Sequence, residues 1–346
     1  MNLIKTDYII IGQGLAGTLA AYALINAGKS ILVIDAQPEY TSSKVAAGMF
    51  NPINPKRMVK NWNAEELIPL AVHTYRQMEE LLQTKLIHEM PVHNVFGSVK
   101  EMNDFSVQME KPAFNQFIDE NAADFLQLKA PYGAFTVKNA GWLNIPIMLE
   151  RFAGYLKKSQ HYLVEHVDYN EIILSEQSVQ YKNYISAGII FCEGYKYHLN
   201  PFFQGLVYEP TKGDVLTIRC KYLPKDLILK KGIYLVYLGN DMYKVGATYD
   251  RKNITERPDP EAKEQLITDL QNMLNVPFEV IKHESGIRPT MRGRKPFVLQ
   301  HGKHMNLFMM NGLGSKGVMF APYFANILVK TILDYEATLD DNRGFE

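Results

Sequence analysis

Six consecutive residues, Gly12-Gln13-Gly14-Leu15-Ala16-Gly17, have the types and spacing to hold a pyrophosphate. In such a run the first glycine permits a tight turn. The second lets backbone N–H groups approach the phosphates, and the third lets helix and strand pack closely. Asp35 lies about twenty residues on, where an acid takes the hydroxyls of a ribose. An acid there repels a 2′-phosphate, which disfavours an NADP-type ligand. The motif by itself does not separate NAD from FAD.

The flanking segments must place those glycines at the end of a strand and the start of a helix. Tyr8-Ile9-Ile10-Ile11 is a β-branched run expected of a buried parallel strand. Ala16 to Ala27 suits a helix, and Gly28 sits where a C′ glycine stops one. Ile31 to Ile34 predicts a second strand ending in Asp35, which completes a right-handed βαβ unit. The helix N-terminus then offers free N–H groups and partial positive charge to phosphates. Further on, helices are predicted over Glu65–Leu82, Pro146–Leu156, Pro258–Leu274 and Gly317–Leu333. Strands are predicted over Tyr162–Val167, Gly188–Glu193 and Leu307–Met310, and β alternation runs through Leu206–Tyr249. The α/β signals sit at the start, middle and end, so two domains woven from interrupted segments are expected.

Composition excludes several classes. The 346 residues carry a formal net charge of zero, so no long-range field favours nucleic acid or an acidic membrane. Two cysteines, Cys192 and Cys220, offer neither a disulfide framework nor a CxxC knuckle, which fits a reducing cytoplasm. His301 and His304 form the close histidine pair, but no third ligand is evident, and no metal is expected. Glycines and polar residues interrupt Tyr8–Ala36, so no stretch reaches the roughly 20 apolar residues of a span. No leader pattern is present either, and a cytoplasmic protein is expected.

Five further motifs follow in order: Ser42-Ser43-Lys44-Val45-Ala46-Ala47-Gly48-Met49, Gly141-Trp142-Leu143, Gly246-Ala247-Thr248, Gly286-Ile287-Arg288-Pro289 and Asn311-Gly312-Leu313-Gly314-Ser315-Lys316-Gly317. In this order the sequence resembles the D-amino-acid oxidase family of flavoproteins, which includes glycine and sarcosine oxidases. The resemblance runs from Tyr8 to about Leu333. It implies an α/β fold in which an FAD-binding Rossmann-type domain (1–86, 140–200 and 281–346) is interwoven with a β-sheet-rich substrate domain (87–139 and 201–280). It implies FAD on Gly12, Gly14, Leu15, Ala16, Gly17 and Asp35, with Ser43, Ala46, Ala47 and Gly48 beside the flavin half. Val167 would end a strand at the adenine. Phe191-Cys192-Glu193-Gly194 departs from the family's Ala-Thr-Gly at that place, so only Gly194 is carried over, and Cys192 reads as a packing residue. Gly312, Gly314, Ser315, Lys316 and Gly317 would aim a helix N-terminus at the flavin's pyrimidine edge. Some relatives attach flavin to a cysteine near this region. None follows Cys220 here, so non-covalent FAD is expected.

Between Ser285 and Leu333 there is no Asp or Glu, while Arg288, Arg292, Arg294, Lys295, Lys303, Lys316 and Lys330 are present. Such a stretch suits a dianionic cofactor or an anionic substrate. By resemblance Arg288 anchors the substrate carboxylate, which a guanidinium grips with two parallel bonds. The other reading is a structural arginine on backbone or flavin carbonyls. Tyr234 and Tyr237 are read as sharing one strand face, and Tyr237 and Tyr249 join Arg288 as candidate pocket residues. The implied reaction is oxidation of the C–N bond of a small amine or amino acid, primary or secondary, to an imine by hydride transfer to flavin N5. Three alternatives stand beside it. One is an oxidase acting on a modified tRNA wobble uridine, since the family has a tRNA-modifying branch. Gly141-Trp142-Leu143 and the ending with Ala321-Pro322 are similar to that branch. Lys56, Arg57 and Lys60 with the Arg288–Lys303 stretch are its candidate basic surface. The others are an NAD-dependent dehydrogenase and a flavin-binding protein without catalysis.

Overall fold

The run Tyr8–Ile11 is buried on both faces because it lies inside a six-stranded sheet. The structure, a computed structural model, describes residues 3–54, 57–119 and 123–343, the side chains of 339–343 excepted. It forms two units, residues 1–44, 146–210 and 288–346 in the first and 45–145 and 211–287 in the second.

In the first unit the sheet order is Tyr162–Val164, Ile31–Asp35, Tyr8–Ile11, Gly188–Phe191, Leu307–Asn311, Phe297–Gln300. The first five are parallel and the last is antiparallel. Parallel strands buried on both faces need continuous apolar runs, and Ile189, Ile190, Phe191 and Leu307 to Met310 supply them. Helix Leu15–Asn26 packs against the long helix Gly317–Arg343. Glu336 of that helix accepts from the Tyr8 hydroxyl at 3.0 Å and from Lys29 Nζ at 2.6 Å, which ties the helix to the first strand. A second sheet orders Ile4–Lys5, Tyr184–Ser186, Val179–Tyr181 and Ile172–Leu174.

In the second unit an eight-stranded sheet runs Glu279–Arg288, Thr211–Arg219, Met242–Gly246, Ile233–Gly239, Ile228–Lys231, Val92–Val95, Ala134–Val137, Ile118–Asp119. One face, with Leu216, Leu235, Tyr243 and Val245, packs on Leu266, Leu270 and Met273 of helix Pro260–Met273. The other face carries Val236, Ile228, Val92 and Phe135 and packs with Trp142 and Ala47.

All four domain limits differ from the sequence reading, falling at 44/45, 145/146, 210/211 and 287/288, and one strand ends early. Residues 45–86 belong to the second unit, because Met49–Phe50 and Ile87–Glu89 flank Gly141–Leu143 in a three-stranded sheet on which helix Ala64–Leu82 packs. The strand predicted to reach Val167 ends at Val164. After Glu165 N donates to Asp35 O, the chain turns away, and the Glu165 carboxylate accepts from Tyr181 and Lys182.

Candidate functional site

Gly12 has φ +95°, a region closed to most side chains, and its N–H donates to Ile34 O at 2.9 Å. A Cβ there would lie 2.6 Å from Cys192 O, and one on Gly17 would lie 1.8 Å from Gly12 O. These two glycines are demanded by the packing of strand, turn and helix. Gly14 differs: a Cβ would meet Ser43 Oγ at 3.2 Å and nothing else within 4 Å. Backbone is therefore bare towards open space at the helix start, as a phosphate requires. The first helical N–H groups have no partner inside the helix. Leu15 N is taken by Ser43 Oγ at 3.1 Å, so Ser43 stands at the mouth of the cradle beside Leu15, Ala16 and Gly17. This bare, donor-rich turn fits a dinucleotide pyrophosphate.

Asp35 accepts Gln13 N at 2.7 Å on one oxygen and Gln37 N at 2.6 Å on the other. A carboxylate has about four acceptor positions, so it keeps capacity for ribose hydroxyls. Gln13 fills an unspecified position of the motif and was missed by sequence reasoning. It is buried, donates to Leu149 O at 3.0 Å, and accepts the Tyr162 hydroxyl at 3.1 Å. Burial pushes the Tyr162 phenol up to about 12, which keeps it a donor.

At the end of Gly188–Phe191 the departing Cys-Glu-Gly has its own logic. Cys192 is buried and its thiol is pushed up by burial, which makes it inert. Glu193 accepts from the Tyr169 hydroxyl and, at 2.7 Å, from Asn200 Nδ2. Burial holds its carboxyl above the usual range. Gly194 has φ +59°, and a Cβ on it would meet nothing within 4 Å. Asn311 Nδ2 donates to Gly194 O at 2.8 Å, joining the ends of two neighbouring strands. Val167 is half-buried and packs on the core cluster of Ile9, Ile11 and Phe191, not on a strand end.

The raised Glu193 carboxyl has a consequence for stability. A carboxyl whose folded pKa is raised binds a proton in the native state after the unfolded chain has lost it. Its neutral form contributes most below the unfolded value of 4.5, and that contribution is lost as pH rises through the folded value. Glu193→Gln removes the titration, so its melting temperature should gain on the parent as pH rises above about 4.5. A difference that stays constant with pH in calorimetry would refute this.

In the last glycine turn, Gly312 (φ +80°) is enclosed by Met291, Lys295 and Phe297, whereas Gly314 (φ +55°) has only Thr290 Oγ1 within 4 Å, at 3.8 Å. Ser315 is exposed and Lys316 half-buried in the short 3₁₀ turn Gly314–Lys316. Gly317 opens the following helix, and a Cβ on it would lie 2.9 Å from Leu15 Cδ2. The structure thus brings Leu15 of the first cradle and Gly317 of the last together.

In the second unit Ala46 is exposed, while Ala47 and Gly48 are buried. Gly48 has φ +70°, and a Cβ would lie 2.0 Å from Leu143 O. Trp142 stacks on His88 at 4.4 Å, and its indole N–H is buried without a hydrogen-bond partner among the described residues. Lys244, also missed, is buried, donates to Val45 O at 3.0 Å and lies 3.6 Å from Glu284. Burial lowers its ammonium pKa. An isolated lysine in a β run carries no signal by which sequence alone could find it.

Arg288 is half-buried at the end of strand Glu279–Arg288, and its carbonyl accepts Thr290 N at 2.8 Å. Tyr234 and Tyr237 do not share a face. Three residues apart on a strand of period two, they point oppositely. Tyr234 packs with the cluster of Val236 and Trp142, whereas Tyr237 packs on the helix-covered face, 5.2 Å from Tyr243 and under Lys225. Tyr249 is 48% exposed with Arg251 over its ring. Arg57 is exposed, Lys60 pairs with Glu65, and Lys56 lies outside the described residues.

A glycine-rich turn between parallel strand and helix, an acid on the next strand and a partner β unit define a dinucleotide-dependent redox fold. The DAO family, FAD dependent oxidoreductase, matches residues 7–331, and the chain belongs to it. It is an FAD-dependent oxidoreductase, which sets aside the NAD reading. The chain is 23% identical, over 95% of its length, to the tRNA 5-methylaminomethyl-2-thiouridine biosynthesis bifunctional protein MnmC of Acinetobacter baylyi. It spans about half of that relative, 53% of its length. Among solved structures it is similar to iminodiacetate oxidase from Chelativorans sp. BNC1, with TM-score 0.77, 15% identity and coverage of 94% of this chain and 95% of that one. Glycine oxidase from Geobacillus kaustophilus gives TM-score 0.77, 18% identity and coverage of 95% of each. These likenesses bear out the fold expected from sequence. No described helix is long and apolar enough to cross a membrane, and no described group of three or more His, Cys, Asp or Glu could hold a metal ion.

Proposed function

We propose that the chain oxidises the C–N bond of a small amine or amino acid to an imine. FAD would rest non-covalently on Gly12–Gly17 and Asp35, with Ser43 at the mouth and the turn Gly312–Gly317 beside the ring. When bound, it supplies a two-electron acceptor for the substrate's hydride. Arg288 carries the substrate reading: half-buried, it ends the long strand Glu279–Arg288 inside the stretch Ser285–Leu333, which has no Asp or Glu. It would grip a carboxylate bidentately and fix the α-carbon. The amine reacts in its neutral form, its proton going to solvent, and water then hydrolyses the imine. Oxidases of iminodiacetate and glycine with this fold support the reading. The test is an anaerobic screen of amino acids, N-alkyl glycines and amines against the flavin-loaded enzyme. Bleaching of the flavin absorbance by at least one carboxylate-bearing amine is expected; no bleaching by any of them would reject the proposal.

A second reading has one specific observation behind it. The similarity to MnmC covers 95% of this chain. In that reading the amine is a substituent on a modified tRNA wobble uridine, and the same C–N chemistry applies.

A further inference from the structure

On the first unit, aromatic rings and cations lie on two adjoining segments beside the last glycine turn. The 3₁₀ helix Gly194–Leu199 presents Tyr195 and the exposed His198. His198 lies nearly parallel to Tyr208, with ring centroids 5.8 Å apart and an interplanar angle of 20°. Tyr195 follows at 6.3 Å from His198, and Lys196 Nζ stands 5.9 Å above the Tyr195 ring. This is a short ladder of rings with a cation at one end.

The ladder is joined to a basic turn. Tyr208 bridges to Met291, and Arg292 N donates to Val207 O at 3.1 Å, so the two segments run side by side. The chain then reverses through Gly293 at φ +81° and Arg294 at φ +55°. That turn displays Arg292, Arg294 and Lys295, all exposed. The exposed acid on the joined segment is Glu209, while Glu193 is engaged by Tyr169 and Asn200. The chain is neutral overall, so this local excess of positive charge is not the edge of a general field.

Base–aromatic stacking contributes irrespective of sequence, and lysine or arginine beside it takes the phosphates. We propose that this face docks RNA through unpaired nucleotides, with bases against Tyr195, His198 and Tyr208 and phosphates on Arg292, Arg294 and Lys295. It extends the second reading above, but the docking itself is tested without any oxidation. A failure here therefore leaves the amine chemistry standing, and a failed amine screen leaves the docking standing.

The experiment measures binding of a synthetic RNA stem-loop by the flavin-loaded protein across a salt series. Two variants are compared: Arg292→Ala/Arg294→Ala/Lys295→Ala, and Tyr195→Ala/His198→Ala. Flavin absorbance and melting temperature report that both are folded. The charge variant should bind at least tenfold more weakly, and its log K against log salt slope should flatten by about two units, near 0.7 for each phosphate no longer neutralised. The ring variant should lose about tenfold on the loop RNA with the slope unchanged, and less on a fully paired duplex. The proposal is overturned if the parent fails to bind RNA at low salt, if both variants bind as well as the parent, or if anionic phospholipid vesicles bind as tightly as RNA.

Discussion

Gly17→Ala should yield a chain that carries no flavin. The added Cβ would sit 1.8 Å from Gly12 O and 3.0 Å from Gly12 C, both backbone of the turn proposed to hold the pyrophosphate. No side-chain rotation relieves a clash with backbone, so turn and helix must separate. Overpacking of this kind costs about 1–3 kcal/mol, and it falls on the turn proposed to cradle phosphate. FAD affinity should drop at least a hundredfold, read by flavin absorbance of the purified variant and by titration with added FAD. Gly14→Ala is the control. Its Cβ meets Ser43 Oγ alone, so the melting temperature without flavin should stay near the parent's while FAD still binds more weakly. Recovering Gly17→Ala with the parent's full flavin content would show that the cradle lies elsewhere.

Arg288→Ala should keep its colour and lose its carboxylate substrates. A bidentate charge-assisted pair that also orients the reacting carbon contributes about 3–4 kcal/mol, so kcat/KM should fall roughly 100- to 1000-fold. Arg288→Lys keeps the charge but not the fork and should recover only a small part. Amines without a carboxylate should react equally with parent and variant. Stopped-flow reduction of the flavin separates these outcomes, and an unchanged rate for every carboxylate-bearing amine would return Arg288 to a structural role.

What was legible in the sequence was local. The strand Tyr8–Ile11, the glycine turn, the helix and Asp35 lie within a few turns of chain, and each residue's type follows from its neighbours. Sequence order of five motifs carried the family and the fold. What escaped depends on pairing across long separations. The family resemblance places residues 45–86 with the first βαβ unit, yet strand pairing with Gly141–Leu143 decides their unit. The Glu193 clamp needs Tyr169 and Asn200, and Lys244 finds its acceptor at Val45, none of which a spacing rule supplies. Tyr237 failed for a simpler reason: an offset of three on a strand changes faces.

The middle of the six-stranded sheet has a further meaning for how the protein is made. Gly188–Phe191 lies between Tyr8–Ile11 and Leu307–Asn311, so strands made far apart in time become near neighbours. At about 5–20 residues per second the glycine turn waits on the order of tens of seconds for the helix that backs it. If FAD rests on that turn, its capture must wait for the helix, and a cell short of FAD would accumulate empty chains.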